Sequence, residues 1–385
     1  MHQQVVPKDA EWVAPIQKEN NIKIVSLILT RKCNLSCKYC YERNKSCQTS
    51  DFSSICQIID SEINDKKEKY VIELFGGEPF LKFDLFEKIV KYVNNKFKEF
   101  NFIFTTSTNG TILSSKIKKF LWNNKNIDIG LSLDGCQYSH NIGRCNSFNK
   151  IDIPFWQQLP NCKSVKVTIF PNSISMLSNN FIYLHSIGFD VYGNLAYDGK
   201  WNSDLLKLYK IELNKMISFY LSNENIKISQ MLDANTLSNI CEPKAPQRHY
   251  CGSCLHMCCY DVNGKKYPCQ TFIPLSIGDK ALEYDDAKKL IYTDIIPNDK
   301  LDNECLQCVC KNVCPMCIGD NYSHGRGLYN RDMSRCSFEK ERFRAMAFLA
   351  SKIYEKNKLK NYENKKMILD GILLISKYLK ECTKD

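Results

Sequence analysis

Residues 30–42 read TRKCNLSCKYCYE and follow directly on 24–29, IVSLIL, a short run of mostly apolar residues. A run of that length between polar flanks suits a buried strand. Cys33, Cys37 and Cys40 therefore stand in the loop at a strand's carboxyl end. A structural zinc site takes four ligands, commonly as two CxxC pairs, whereas this group offers three in CxxxCxxC spacing. Three thiolates leave one metal position open, because a four-iron cluster held by three cysteines keeps one iron free for an outside ligand. A zinc knuckle completed by a distant cysteine is the plainer alternative, and the spacing alone leaves both open.

Outward from this loop, 70–74 (YVIEL), 102–106 (FIFTT), 128–133 (DIGLSL), 163–169 (KSVKVTI) and 189–195 (FDVYGNL) also read as strands. Amphipathic stretches lie between them, as in 83–95, where Leu85, Phe86, Ile89, Val90 and Val93 recur at helical spacing. Six βα repeats predict a parallel sheet with right-handed crossovers, either open and doubly wound or curved into a partial barrel. Both put the site at the carboxyl ends of the strands. Past about residue 225 the composition shifts: from Cys241 to Cys336 there are 12 cysteines with little periodicity. This reads as a second domain held by metal rather than by an apolar core. Beyond it, 337–355 and 364–380 read as two amphipathic helices expected to pack back on the barrel.

The chain has 385 residues, 44% apolar and 25% charged, which excludes disorder, collagen and simple coiled coil. No stretch approaches the roughly 18 apolar residues of a membrane span, and the first residues lack the basic-then-apolar run of a signal peptide. The chain is expected in the cytoplasm. There 21 cysteines point to metal rather than to disulfides. The formal charge of +11 omits any thiolates, and Lys and Glu are interspersed, as in 64–70, NDKKEKY. A solvated surface is expected, with no nucleic-acid partner.

One βα unit after the cysteine loop, 72–80 read IELFGGEPF. With both motifs present, the sequence resembles the radical S-adenosylmethionine enzymes, whose fold is a partial (β/α)6 TIM-like barrel. Gly76 and Gly77 permit close backbone approach, and the Glu78 carboxylate can take the ammonium of a bound amino acid. Two further strand ends match: Thr108, Asn109 and Gly110, and Ser132, Asp134 and Gly135 followed by Arg144. The resemblance assigns cofactor contact to Tyr39, Gly76, Gly77, Glu78, Pro79, Asn109, Ser132 and Arg144. It implies that the open iron chelates S-adenosylmethionine, and that one electron cleaves the sulfonium to methionine and a 5'-deoxyadenosyl radical. That radical takes hydrogen from an unactivated C–H bond.

In 251–272, CGSCLHMCCYDVNGKKYPCQTF, Cys254 precedes Gly264, which begins Gly-x4-Cys ending at Cys269. Downstream come Cys305-x2-Cys308-x5-Cys314-x2-Cys317 and a lone Cys336. This resembles the SPASM domain, which holds two auxiliary four-iron clusters. Carried across, one cluster uses Cys251, Cys254, Cys269 and Cys317, and the other Cys305, Cys308, Cys314 and Cys336. The last spacing is x2 where the pattern has x3, and Cys258, Cys259 and Cys310 are surplus. Two zinc-ribbon sites are the alternative. Three [4Fe-4S] clusters would remove roughly five or six units of formal charge. The expected division is an N-terminal extension over 1–20, the barrel over 21–225, a C-terminal cysteine-rich iron–sulfur (SPASM) domain over 226–340, and terminal helices over 341–385.

SPASM enzymes mostly modify peptides or proteins. Sulfatase maturases carry an aspartate base just after the Gly-x4-Cys cysteine; here Gln270 stands there and cannot accept a proton. With the first strand so near the start, no complete leader-gripping domain is expected ahead of it. The expected function is maturation of a ribosomally synthesised peptide by a thioether or carbon–carbon crosslink. Alternatives are a radical dehydrogenase or epimerase acting on a small molecule or protein side chain, and a non-enzymatic zinc or iron–sulfur module. Expected partners are a precursor peptide, a one-electron reductant of flavodoxin or ferredoxin type, and optionally a separate leader-binding protein, with no membrane. The sequence names no catalytic acid or base, substrate or oligomeric state.

Overall fold

The computed structural model describes residues 22–162, 164–197, 199–240, 247–248, 251–290, 295–296, 298–356 and 364–382. The expected N-terminal extension and Cys241 lie outside the described residues.

Strands β1 (Ile22–Thr30), β2 (Lys69–Gly76), β3 (Asn101–Thr108), β4 (Ile127–Ser132), β5 (Ser164–Ile169) and β6 (Asp190–Leu195) pair in parallel, each beside the one before it. A doubly wound sheet reverses its order at a switch point. None occurs between β1 and β6, which selects the partial barrel from the two architectures open to the sequence. The crossovers carry α1 (Phe52–Glu62), α2 (Phe83–Lys96), α3 (Ser115–Asn123), α4 (Gln137–Gly143), α5 (Ile153–Gln158) and α6 (Leu177–Ser186), and α7 (Ser203–Ser222) follows β6. Local signals start several of them. Asp51 and Ser114 accept backbone N–H bonds from Ser54 and Ile117, capping α1 and α3.

Alternation along the strands separates two environments. Val25, Leu27 and Leu29 of β1 and Tyr70, Ile72 and Leu74 of β2 join Phe86, Ile89, Val90 and Val93 of α2 in one apolar core. Ser26 and Glu73, at the intervening positions, are buried on the other face. The barrel interior is therefore polar where the site lies.

The cysteine-rich segment begins with β7 (Gln247–Arg248), followed by β8 (Met257–Tyr260), which pairs in parallel with β1, Ile24 opposite Met257. Antiparallel to β8 runs β9 (Lys266–Tyr267), and β7 pairs with β10 (Ile295–Ile296). Short helices α8 (Pro274–Ile277), α9 (Tyr284–Leu290), α10 (Asn303–Leu306) and α11 (Ile318–Ser323) complete the segment. Here the expectation of a region without an apolar core is corrected. Tyr267, Phe272, Ile273, Leu275, Ile296, Met316 and Ile318 form a buried cluster with Ile28 of β1. These residues come from turns and short elements, so no period in the sequence marks them.

The terminal helices are α12 (Met333–Glu355) and α13 (Lys365–Cys382). Asp332 accepts from the Ser334 N–H and starts α12 four residues earlier than the periodicity indicated, which places Cys336 inside the helix. Phe338 anchors α12 on the barrel, its ring 4.9 Å from Trp201 and 5.4 Å from Tyr209. Among the described residues no helix is long and apolar enough to cross a membrane.

Candidate functional site

Cys33, Cys37 and Cys40 occupy the loop after β1, at the carboxyl edge of the sheet. Local backbone bonds shape this loop: Cys40 N–H donates to Cys37 O at 3.1 Å and Lys38 N–H to Gly143 O at 3.0 Å. Cys33 and Cys40 both face Cys37, and burial pushes each of the three thiols upward, Cys40 to about 11. The loop after β2 lies directly against them. Gly77 N–H donates to Thr30 O and Glu78 N–H to Lys32 O, both at 3.0 Å. A Cβ on Gly77 would sit 2.5 Å from Lys32 O and 3.0 Å from Cys33 Cβ. Gly76 has φ +140°, and a Cβ there would meet Thr30 O at 2.4 Å. The two glycines are what allow the loops to touch.

Glu78 joins β2 to β3. Its Oε1 accepts from Phe80 N–H at 3.2 Å and Thr108 O–H at 2.8 Å, and its Oε2 from Asn109 N–H at 2.8 Å. Burial outweighs these donors and pushes the carboxyl up to about 7. Pro79 opens the short turn Pro79–Lys82 and is buried away from the cavity wall. Asn109 reaches the cysteine loop, donating to Asn34 Oδ1 at 2.9 Å.

At the β4 end, Asp134 gathers four donors. Arg144 Nε and Nη2 bind it at 2.8 and 3.2 Å, Thr168 N–H donates at 3.0 Å, and the Tyr39 hydroxyl completes the set. Arg144 also lies over the Tyr39 ring, 5.3 Å from its centroid. Arg144, to which resemblance assigns a cofactor contact, here makes a structural one. Two of its nitrogens orient Asp134 and Tyr39.

A cavity of about 530 Å³ runs across these strand ends. Cys33, Cys37, Cys40, Tyr39, Gly76, Gly77, Glu78, Asn109, Ser132 and Arg144 line it, and so do Cys251, Cys317 and Gln270 of the cysteine-rich segment. In that segment Cys251 faces Cys254, Cys269 and Cys317. Cys305 and Cys314 both face Cys308 and Cys336. The two groups of four are those that resemblance assigned. Of the surplus cysteines, Cys310 faces Cys308 and Cys314 of the second set, and the other two lie within β8. Cys258 and Cys259 are buried on opposite faces of β8, one in each apolar cluster. Cys310 makes a thiol hydrogen bond to Cys308, the leading cause that holds Cys308 down at about 6.

A protein-family profile described as "4Fe-4S single cluster domain" matches residues 24–144. An uncharacterised protein of Methanocaldococcus jannaschii is 37% identical over 119 residues, 31% of this chain and 41% of that one. The radical SAM cyclopropyl synthase TigE of Paramaledivibacter caminithermalis is 24% identical over 227 residues, 53% of this chain and 44% of TigE. These two alignments span less than half of either relative. A cysteine-type anaerobic sulfatase-maturating enzyme of Clostridium perfringens is 23% identical over 320 residues, 74% of this chain and 86% of the enzyme. Among solved structures, "Native anSMEcpe with bound AdoMet and Cp18Cys peptide" superposes with TM-score 0.66 at 20% identity, covering 87% of this chain and 99% of that one. Streptococcus suis SuiB bound to precursor peptide SuiA superposes with TM-score 0.54 at 14% identity, covering 82% and 76%. The chain is similar to radical S-adenosylmethionine enzymes of SPASM type in its cysteine loop and in its fold.

The donor chemistry fits this family's cofactors, S-adenosylmethionine and iron–sulfur clusters. Among the described residues no three Cys, His, Asp or Glu groups close on the single point that one metal ion needs. A four-iron cube spaces its thiolates more widely than one zinc ion does. Beside the thiols, the cavity holds groups that sequence reading missed. Glu73 is buried on β2, accepts from Ser26 O–H at 2.7 Å and from the Gln270 amide, and faces Lys166 of β5. Its only sequence signal was a carboxylate inside the apolar run YVIEL. Asp134 stood in a recognised motif, but its partner Arg144 is ten residues away across a helix.

Glu78 makes a testable case of pH dependence. Its folded value, near 7, lies above the ordinary carboxyl value of 4.5, so the folded protein holds this proton more tightly than the unfolded chain. The stability it contributes is complete below about pH 4.5 and is lost as pH rises through about 7. Relative to wild type, Glu78→Gln is expected to gain roughly 1–3 kcal/mol between pH 5 and pH 8, read by urea unfolding without S-adenosylmethionine. No relative change would mean that the carboxyl is ionised throughout.

Proposed function

We propose that this chain is a cytoplasmic, oxygen-sensitive radical S-adenosylmethionine maturase that crosslinks a ribosomally synthesised peptide through a thioether or carbon–carbon bond. The observation that carries the reading is one cavity walled on one side by Cys33, Cys37 and Cys40 and on another by Cys251 and Cys317. Radical initiation and electron uptake can then both act on a single bound substrate. When bound, the cluster and S-adenosylmethionine supply a 5'-deoxyadenosyl radical on receipt of one electron, here from a flavodoxin- or ferredoxin-type donor.

The chain's own residues bind and orient. Cys33, Cys37 and Cys40 hold the first cluster, and Tyr39, Gly76, Gly77, Glu78, Asn109, Ser132 and Arg144 shape the S-adenosylmethionine site, with Pro79 fixing the turn behind it. Cys251, Cys254, Cys269 and Cys317 hold a second cluster, and Cys305, Cys308, Cys314 and Cys336 a third. The division at 21–225, 226–340 and 341–385 belongs to the same proposal. Peptide substrates are supported by relatives whose structures hold a peptide.

A second reading, action on a protein side chain as in sulfatase maturation, is favoured by the long match to that enzyme. Against it, the position after Cys269 is the amide of Gln270, which is bonded to Glu73.

Anaerobic reconstitution tests the proposal. About twelve iron and twelve sulfide per chain are expected, with 5'-deoxyadenosine formed on reduction and two hydrogens lost from the peptide per crosslink. Zinc in place of sulfide would remove the reading, and turnover without any peptide would replace it with a small-molecule oxidation.

A further inference from the structure

The two auxiliary cysteine sets sit in unlike electrostatic surroundings. In the set of Cys305, Cys308, Cys314 and Cys336, Arg331 Nη1 donates to Cys314 Sγ at 3.0 Å and Nη2 to Met316 Sδ at 3.6 Å. The guanidinium faces all four thiols of this set. Its Nε is buried without a hydrogen-bond partner among the described residues, so the group is held against sulfur rather than spent on a carboxylate. Lys340 stands one helical turn after Cys336 on α12 and faces Cys336 and Cys308. Three carboxylates also face this set. Asp302 and Glu304 are exposed, and Glu339 is paired with Arg342 at 2.8 Å. Water and salt screen the first two, and the third is neutralised by its partner.

In the set of Cys251, Cys254, Cys269 and Cys317 the hydrogen-bond donors to sulfur are neutral, and the Arg335 guanidinium lies over the Tyr197 ring, 5.1 Å from its centroid, and 3.9 Å from the Asp320 carboxylate. The Thr271 hydroxyl lies 3.0 Å from Cys269 Sγ, Asp320 N–H donates to Cys317 Sγ at 3.4 Å, and the Tyr197 hydroxyl bonds Cys317. Lys288, which faces Cys254, is exposed. Asp320, which faces Cys317, is buried beside Arg326 at 3.3 Å. Among the described contacts no guanidinium or ammonium donates to a thiol of this set.

We infer that Arg331, supported by Lys340, holds the cluster of Cys305, Cys308, Cys314 and Cys336 at a more positive reduction potential than the cluster of Cys251, Cys254, Cys269 and Cys317. This rests on reading both sets as four-iron sites. A four-iron cluster with four thiolates carries a net charge of about −2, and one-electron reduction takes it to about −3. A cation that also donates N–H to a ligand sulfur stabilises the more negative state more strongly. The step moves one electron from the reductant to the cluster and makes or breaks no bond to hydrogen. Arg331 stays charged at every working pH, so the effect is a standing one. Arg331 is a positioning and tuning residue, without contact to substrate.

The test needs no substrate. Reconstituted full-length enzyme is titrated with dithionite and the clusters are followed by electron paramagnetic resonance, with Cys336→Ala identifying the signal of this set. Arg331→Gln is expected to retain its iron, to shift that one midpoint to more negative potential, and to leave the other two unmoved. Arg331→Lys, which keeps the charge, is expected to shift it less. A fully loaded Arg331→Gln protein with every midpoint unmoved overturns the inference. Should Arg331→Gln lose the cluster, Lys340→Gln carries the test. A smaller negative shift of the same signal supports the inference, and no shift overturns it. Wild-type enzyme holding fewer than three clusters would overturn the underlying reading itself, which iron analysis distinguishes before any titration.

Discussion

Simultaneous replacement of Cys33, Cys37 and Cys40 by alanine is expected to reduce 5'-deoxyadenosine formation to the background of enzyme-free assays, while about eight of twelve iron atoms remain. The expectation follows from position. These residues share the loop after β1, Cys33 packs against the Gly77 turn, and all three line the cavity with Glu78, Asn109 and Arg144. The auxiliary cysteines lie in a segment whose own apolar cluster, built on Phe272, Ile273 and Leu275, does not include the three replaced residues. Anaerobic turnover assays with dithionite and chromatographic quantification of 5'-deoxyadenosine decide the matter. Reductive cleavage persisting in the triple variant would show that the open iron lies elsewhere.

Cys336→Ala is expected to have the second largest effect, separating radical formation from product. The variant should lose about four iron atoms, continue to cleave S-adenosylmethionine, and fail to accumulate crosslinked peptide, so that 5'-deoxyadenosine exceeds product many-fold. Folding should survive. Cys336 lies in the first turns of α12, and that helix is fixed two residues later by Phe338 between Trp201 and Tyr209, contacts that involve no thiol. The ratio of product to 5'-deoxyadenosine, with iron content measured on the same sample, is the readout. Full crosslinking by a soluble variant short of one cluster would refute an electron-accepting duty for this set. Loss of solubility, or of both activities together, would make the cluster structural.

Several features that now organise the site gave no sign in the primary structure. Glu73 and Gln270 bond across 197 positions, and Arg31 pairs with Asp261 across 230. Each contact exists because β8 adds in parallel to the free edge of β1, a pairing between segments that carry no matching pattern. Arg331 is one basic residue among 53, and only the turn between α11 and α12 aims it at Cys314. The cysteine-rich segment was read as lacking an apolar core because Phe272, Ile296 and Ile318 come from separate short elements with no common period. Cys258 and Cys259 looked like spare metal donors, yet strand geometry buries one on each face of the sheet.

What the sequence by itself determined was local in the chain. The strand-then-CxxxCxxC loop, the Gly76–Gly77–Glu78–Pro79 turn one βα unit later, and the alternation of strands and helices all depend on neighbours within a few residues. Covalent spacing fixes which groups can share a loop, and side-chain periodicity fixes which face of a strand or helix is apolar. Choosing a partial barrel over a doubly wound sheet required the strand order, which no single segment encodes. Only the tertiary structure decided that two Arg144 nitrogens bind Asp134, that Glu73 lines the cavity, and that the two cysteine sets assigned by resemblance differ in the groups that contact their sulfurs. Those outcomes depend on burial and on contacts between distant segments, which form only once the sheet is assembled and the cysteine-rich segment is docked on the edge of β1.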